Sequence, residues 1–383
     1  MISNLFNTRW LCRATDLFDF FKEKPRKRIL LVSHELTQTG APRALLSLAL
    51  MLRELGAEVE MVSLSDGELQ QEIVDAGLIC GIPNPPIHTM HPSDPLYVDT
   101  LQYISSFDLI LFNTIATLHL VEQIKEVHVK KVCWLHDGSF AFRLFGNKEK
   151  LSHVYPLYDR IFAVGDYACR IAASMGPEGT QTESLLYGTV DIAKGTVKKT
   201  ANEKTVMVLA GSIEKRKGQH VLVESLHLLS ADIRSQLKIY VVGRTLDERI
   251  YRQVSDAQSA CLELCEAMPH EELMDLFSRM DILLCPSLDD PMPIVCTEAM
   301  MLSKPVIVSD HTGTASFIED GVNGYVVSAG DPVSLAGAIT RAVKLKATLP
   351  RMGMRSRRIY KKHFTTKSFK RNVKNKLLTL VKG

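Results

Sequence analysis

Short apolar runs alternate with amphipathic stretches along most of the chain. Residues 29–33 (Ile-Leu-Leu-Val-Ser) form the first run, and a Gly-containing loop and an amphipathic segment from Arg43 to Leu55 follow it. That order predicts strand, loop and helix. Further short runs at Val59–Leu64, Asp108–Phe112, Val132–Trp134 and Ile161–Val164 lie between helical patterns. Short buried strands separated by helices imply a parallel sheet with crossover connections. A polar, strand-poor segment, Asp191–Lys204, interrupts the pattern and reads as a linker. Beyond it, strands are predicted at Val206–Ala210, Leu237–Val242, Asp281–Cys285 and Pro305–Ser309, with helices at Lys217–Leu229 and Pro291–Leu302.

The prediction is therefore an α/β chain of two doubly wound halves, residues 1–190 and 191–364. The helical spacing of Ser368–Val381 lets residues 365–383 cross back onto the first half. A length of 383 residues agrees with two domains, because single cores stop growing at about 250–300 residues. With 46% apolar and 23% charged residues, the composition is that of a folded globular protein and excludes a disordered one.

Charge adds an asymmetry. Residues 341–383 hold fifteen Lys or Arg and no acid, and residues 22–28 add a smaller basic block. Such blocks attract an anionic membrane surface, or they form a solvated helical face; both readings stand, and nucleic acid is not an expected partner. Residues 10, 11, 14, 17, 18 and 21 form an apolar helical stripe just before the first block. It suits an interfacial membrane helix or a helix docked on protein. No apolar run reaches the length of a membrane-spanning helix, and Arg9 and Arg13 interrupt a signal-peptide core. The expectation is a cytoplasmic protein, peripheral on the inner face of the membrane if the basic blocks engage lipid. The eight scattered cysteines read as reduced thiols without zinc-site spacing.

Four places carry candidate chemistry. Gly40-Ala41-Pro42 lies between the first strand and helix, where a glycine lets backbone approach a phosphate or serves as an ordinary loop residue. His136 ends a strand, placed to bond a sugar hydroxyl, to carry a proton, or simply to pack. Lys215-Arg216-Lys217-Gly218 sets three cations at a strand-to-helix junction, which suits a pyrophosphate. Asp289-Asp290-Pro291-Met292-Pro293-Ile294 leads from a strand into a helix carrying Glu298. If that helix begins at Pro291, Asp290 and Glu298 share roughly one face, about 11–12 Å apart along the axis.

These motifs, in this order, resemble glycosyltransferase family 4, the retaining group 1 enzymes of the GT-B fold. The likeness extends through Tyr187-Gly188-Thr189-Val190-Asp191, Lys304-Pro305-Val306-Ile307-Val308 and Asp320-Gly321-Val322-Asn323-Gly324, covering residues 28–365. It implies two Rossmann-like domains facing across a cleft, with the acceptor on the N-terminal side and a nucleotide diphosphate sugar held mainly by the C-terminal domain. It implies a hexosyltransferase-type enzyme of polysaccharide biosynthesis, moving sugar to a glycan or lipid-linked acceptor.

By the same resemblance, Glu298 holds the ribose hydroxyls, Asp290 lies near the donor sugar, and Lys217 neutralises the diphosphate with Arg216. His136 stands beside the sugar, while Gly40, Ala41 and the N–H groups of Met292 and Ile294 approach the donor. The chain departs from the family where Ser212 replaces a customary Arg, Asp290 a Glu, and Pro291-Met292-Pro293 a Gly-Phe-Gly element. Those departures motivate the alternative of a catalytically silent subunit that binds glycan or stabilises a partner transferase. No two Asp residues are two apart, so the metal-binding D-x-D element is missing and neither metal nor cofactor is expected.

Overall fold

A computed structural model describes residues 26–83, 89–91, 93–146, 148–191 and 203–381. The stripe over residues 10–21, the basic residues 22–25 and most of the linker lie outside the described residues.

The first half carries β1 (Arg28–Ser33), α1 (Gly40–Glu54), β2 (Glu58–Ser63), α2 (Leu69–Asp75), β3 (Ile79–Gly81), α3 (Pro95–Ile104) and β4 (Leu109–Asn113). It continues with β5 (Lys130–Leu135), α4 (Ser139–Phe145), α5 (Lys148–Val154), β6 (Arg160–Ala163), α6 (Asp166–Met175) and β7 (Glu183–Ser184). The second half has β8 (Thr205–Ala210), α7 (Gln219–Leu228), α8 (Ala231–Ser235), β9 (Leu237–Val242), α9 (Glu248–Asp256), β10 (Leu262–Cys265) and α10 (His270–Arg279). Then come β11 (Ile282–Cys285), α11 (Ile294–Met301), β12 (Val306–Ser309), β13 (Gly324–Val327), α12 (Pro332–Lys344), α13 (Leu349–His363) and α14 (Thr366–Asn372).

Each half is one parallel sheet, ordered β3-β2-β1-β4-β5-β6-β7 in the first and β10-β9-β8-β11-β12-β13 in the second. The central strands are buried along nearly their whole length, as strands covered by helices on both faces must be. In both sheets the order reverses beside the first strand, between β1 and β4 and between β8 and β11. Connections diverge to opposite faces there, opening a crevice at the carboxyl ends of those strands. This fixes where a ligand can sit before any side chain is considered.

Three helix starts differ from those read in the sequence. The helix placed at Arg43 begins at Gly40, so Gly40-Ala41-Pro42 is its first turn and not a loop; a proline is tolerated there because the first turn needs no intrahelical N–H bond. The helix placed at Pro291 begins at Ile294, with Pro293 as its N-cap at φ −65°, ψ 120°. The residue before a proline is pushed out of the helical region, so Met292 cannot join the helix and Asp290 lies off it; Asp290 and Glu298 do not share a helix face. The helix placed at Lys217 begins at Gln219, because Gly218 adopts a left-handed φ of 76° after a tight turn over Lys215–Lys217. The short edge strands β3, β7, β10 and β13 were not foreseen.

Past α13, the chain end lies on the first half. Phe369 stacks on Trp134 with centroids 5.8 Å apart, Lys370 pairs with Glu54, and Lys376 donates to the Ser184 carbonyl. Among the described residues no helix is long and apolar enough to cross a membrane.

Candidate functional site

The two switch points face each other, and the sequence-derived residues gather around the space between them. Gly40 and Ile294 are the first residues of α1 and α11. A Cβ built on Gly40 would stand 3.7 Å from Ile294 Cδ1, so the N-termini of these two helices meet across the cleft. Neither helix has a side-chain cap or an acid in its first turn. Their first N–H groups and the positive ends of two helix dipoles are thus left for an anion. Ala41 is pinned by its carbonyl, which accepts from Asn113 Nδ2 at 3.2 Å.

Two cations stand at this corner, each held by an acid. The backbone reverses at Gly218, where a Cβ would meet the Pro286 carbonyl, and the reversal aims Arg216 and Lys217 at the loop after β11. Lys217 Nζ donates to Asp290 Oδ2 at 2.6 Å, and Arg216 lies 3.7 Å from the same oxygen. Arg216 also donates to the Asp289 carbonyl at 3.1 Å and pairs with Glu214 at 2.9 Å. Asp290 therefore holds the two cations in place, and the shorter carboxylate still reaches Lys217.

Glu298 is buried on α11 and takes a hydrogen bond from the exposed His270 ring at 2.7 Å. That bond raises the His270 pKa, which favours the protonated ring as the donor that orients the carboxylate. Met292 is buried. Its carbonyl accepts from Tyr187 at 2.5 Å, and its sulfur accepts from Thr314 at 3.8 Å. Tyr187, from the hinge-like segment, thus ties the two halves together beneath the site.

On the opposite wall His136 follows β5, its ring 4.3 Å from that of Trp134. Its Nε2 is buried with no hydrogen-bond partner among the described residues. Burial, with the nearby His34 charge second, pushes its pKa down to about 3. His136 is neutral across physiological pH, which favours hydrogen bonding over proton carriage. Next to it, burial raises the Asp137 pKa to about 7, against the pull of backbone N–H groups and with help from the Asp289 charge.

Sequence reasoning missed Asp289, whose carboxylate crosses the cleft to Phe140 N–H at 2.7 Å and Tyr167 Oη at 2.8 Å. The adjacent acids were the only available signal. His270 and Tyr167 left none.

Residues 25–158 match the family model described as Glycosyl-transferase family 4, and residues 194–359 match that of Glycosyl transferases group 1. The chain is 25% identical over 256 residues to WcaL of Salmonella typhimurium, a glycosyltransferase named for colanic acid biosynthesis; the match covers 61% of this chain and 62% of WcaL. It is 26% identical over 148 residues to the amylovoran biosynthesis glycosyltransferase AmsK of Erwinia amylovora, covering 34% of this chain and 33% of AmsK. The matched stretches thus span less than two thirds of either relative. Among solved structures, HepE of Anabaena in complex with UDP superposes with a TM-score of 0.76 at 18% identity, over 92% of this chain and 100% of HepE. A glycosyltransferase of Rickettsia africae superposes with a TM-score of 0.73 at 14% identity, over 94% and 100%. The two family models together match most of the chain, leaving out residues 1–24, 159–193 and 360–383, and the folds agree: the chain belongs to glycosyltransferase family 4, group 1, with the GT-B fold.

Proposed function

We propose that the protein transfers a sugar from a nucleotide diphosphate sugar to a glycan or lipid-linked acceptor, with retention of anomeric configuration and without a metal ion. The observation that carries this reading is the meeting of two uncapped helix N-termini beside Lys217 and Arg216. A leaving diphosphate is the anion such a corner stabilises, and stabilisation of developing charge is commonly the largest catalytic term. HepE has also been crystallised with UDP-glucose, which supports a uridine nucleotide as the first donor to test.

In this mechanism the bond between the sugar anomeric carbon and the diphosphate oxygen breaks as the acceptor oxygen bonds that carbon on the same face. The acceptor proton passes to the departing phosphate oxygen. Lys217, Arg216 and the N–H groups of α1 and α11 take up the diphosphate charge, and Glu298, oriented by His270, binds the ribose hydroxyls. Neutral His136 donates to a sugar hydroxyl, and Asp290 contacts the donor sugar once Lys217 turns to the phosphate. The alternative of a silent subunit loses weight because Asp290 keeps its bond to Lys217 and Arg216 stands where Ser212 supplies no charge.

For the basic chain end we propose an anionic membrane surface as partner, placing the enzyme at the cytoplasmic face. Arg351, Arg355, Arg358 and Lys362 recur along one exposed face of α13. Sedimentation with phosphatidylglycerol vesicles should be strong at low salt and lost at high salt; salt-insensitive or absent binding refutes this part. The transfer reaction itself is tested by NMR of the product from an α-linked donor in the presence of EDTA. An α-linked product is expected; a β-linked product, or a rate that requires added metal, overturns the mechanism.

A further inference from the structure

We infer that Asp289 is a positioning residue that caps α4 from the other half of the molecule and so fixes the His136 loop when the cleft is closed. The inference rests on the reading of this cleft as the transfer site.

Helix α4 starts directly after His136-Asp137-Gly138, and Phe140 is its second residue. The first N–H groups of a helix need an acceptor, usually the side chain of the N-cap residue. Here the N-cap is Gly138, which has no side chain to offer. The Phe140 N–H is instead accepted by Asp289, 149 positions away in the second half, at 2.7 Å. The other carboxylate oxygen accepts from Tyr167 Oη, at the start of α6, at 2.8 Å. Asp289 is only 5% exposed, so water does not fill this role.

Gly138 is shaped for the arrangement. A Cβ there would come 2.1 Å from Asp289 Oδ1, so any other residue would displace the carboxylate. A helix end with its own cap would be indifferent to domain closure. This one takes its acceptor from the other half of the molecule. Two neighbouring acids thereby divide their work: Asp290 faces the donor cations, while Asp289 faces the acceptor wall. Arg216 also donates to the Asp289 carbonyl at 3.1 Å, so the cap and the anion corner share one peptide unit.

The test compares Asp289→Ala, Asp289→Asn and Tyr167→Phe in the full-length protein. Asn can still accept the Phe140 N–H with its oxygen and donate its amide to the Tyr167 oxygen, whereas Ala makes neither contact. In hydrogen–deuterium exchange, peptides covering residues 139–146 should exchange faster in Asp289→Ala, intermediately in Tyr167→Phe, and as in wild type in Asp289→Asn. With UDP-glucose as probe, Asp289→Ala should lose about 100-fold in kcat, the scale of an ångström misplacement at a reacting centre, with donor KM unchanged because Lys217 and Glu298 are intact. Asp289→Asn should recover the rate. Unchanged exchange over α4 in Asp289→Ala, or equal loosening in Asp289→Asn, overturns the inference. If wild type neither binds nor turns over UDP-glucose, that donor fails, while the exchange measurement still decides the role of Asp289.

Discussion

At the scale of single residues, the site is organised by what burial does to charge. Asp137 has its pKa raised to about 7 by burial, so the folded protein holds a proton there that the unfolded chain releases near pH 4. Stability from this group is therefore present at low pH and falls as pH rises from about 4 to about 7. Asp137→Asn, which removes the ionisation, should raise the melting temperature relative to wild type at pH 8, and the gain should shrink toward pH 4.5. A gain of at least about 2 °C is expected, the shift that roughly 1 kcal/mol produces in a domain of this size; scanning calorimetry at the two pH values checks it. Lys217→Ala leaves the buried Asp290 carboxylate to Arg216 alone, so it should lower the melting temperature while the protein still folds, and should cut turnover by roughly 100- to 1,000-fold, the cost of removing one group that stabilises transition-state charge.

Residues of this kind were partly legible in the sequence. Gly40, His136, Lys217 and Glu298 stand in strand-to-helix junctions or in the helix that follows one, where backbone and side chains reach a crevice. Asp289 was not legible as a contact, because nothing in two adjacent acids says that they point to opposite domains. The partners His270 and Tyr167 come from α10 and α6, which only the assembled fold brings to the site.

Elements follow from the same local chemistry, and their boundaries from glycine and proline. Pro293 delays α11 until Ile294 and so puts the helix N-terminus opposite Gly40, three residues later than a start at Pro291 would. Gly218 does comparable work at the cationic turn. Its φ of 76° and the 2.1 Å approach of the Pro286 carbonyl leave no room for a side chain. Gly218→Ala should cost about 1–3 kcal/mol from backbone strain alone and weaken nucleotide binding, measured by chemical denaturation and by titration with UDP. The buried central strands were legible as apolar runs. β3, β7, β10 and β13 were not, since edge strands of two to four residues carry too little pattern to separate from loops.

For the whole molecule, two sheets of like topology bring two switch points face to face, and the last segment binds the halves into one unit. Phe369, Val373 and Leu377 are buried in the same core as Trp134 of the first half. Phe369→Ala should destabilise the protein by about 3–5 kcal/mol, the range for a large buried aromatic, and should do so in the N-terminal half. Exchange protection of β5 reports that loss; a change confined to α13 and α14 contradicts it. The return of residues 365–383 to the first half was expected from helical spacing alone; the ring stack that holds them there was not, because a stacked pair between distant segments has no signature in one sequence.

The central claim is that the corner formed by α1, α11, Arg216 and Lys217 binds a nucleotide diphosphate sugar without metal. Calorimetric titration of the purified protein with UDP-, GDP- and ADP-sugars in EDTA, repeated for Lys217→Ala and Glu298→Ala, tests it most directly. Binding of one donor series in the chelator, lost or weakened at least about tenfold in both variants, is the predicted result. Failure to bind any of them, or binding that the two variants leave untouched, would contradict the account.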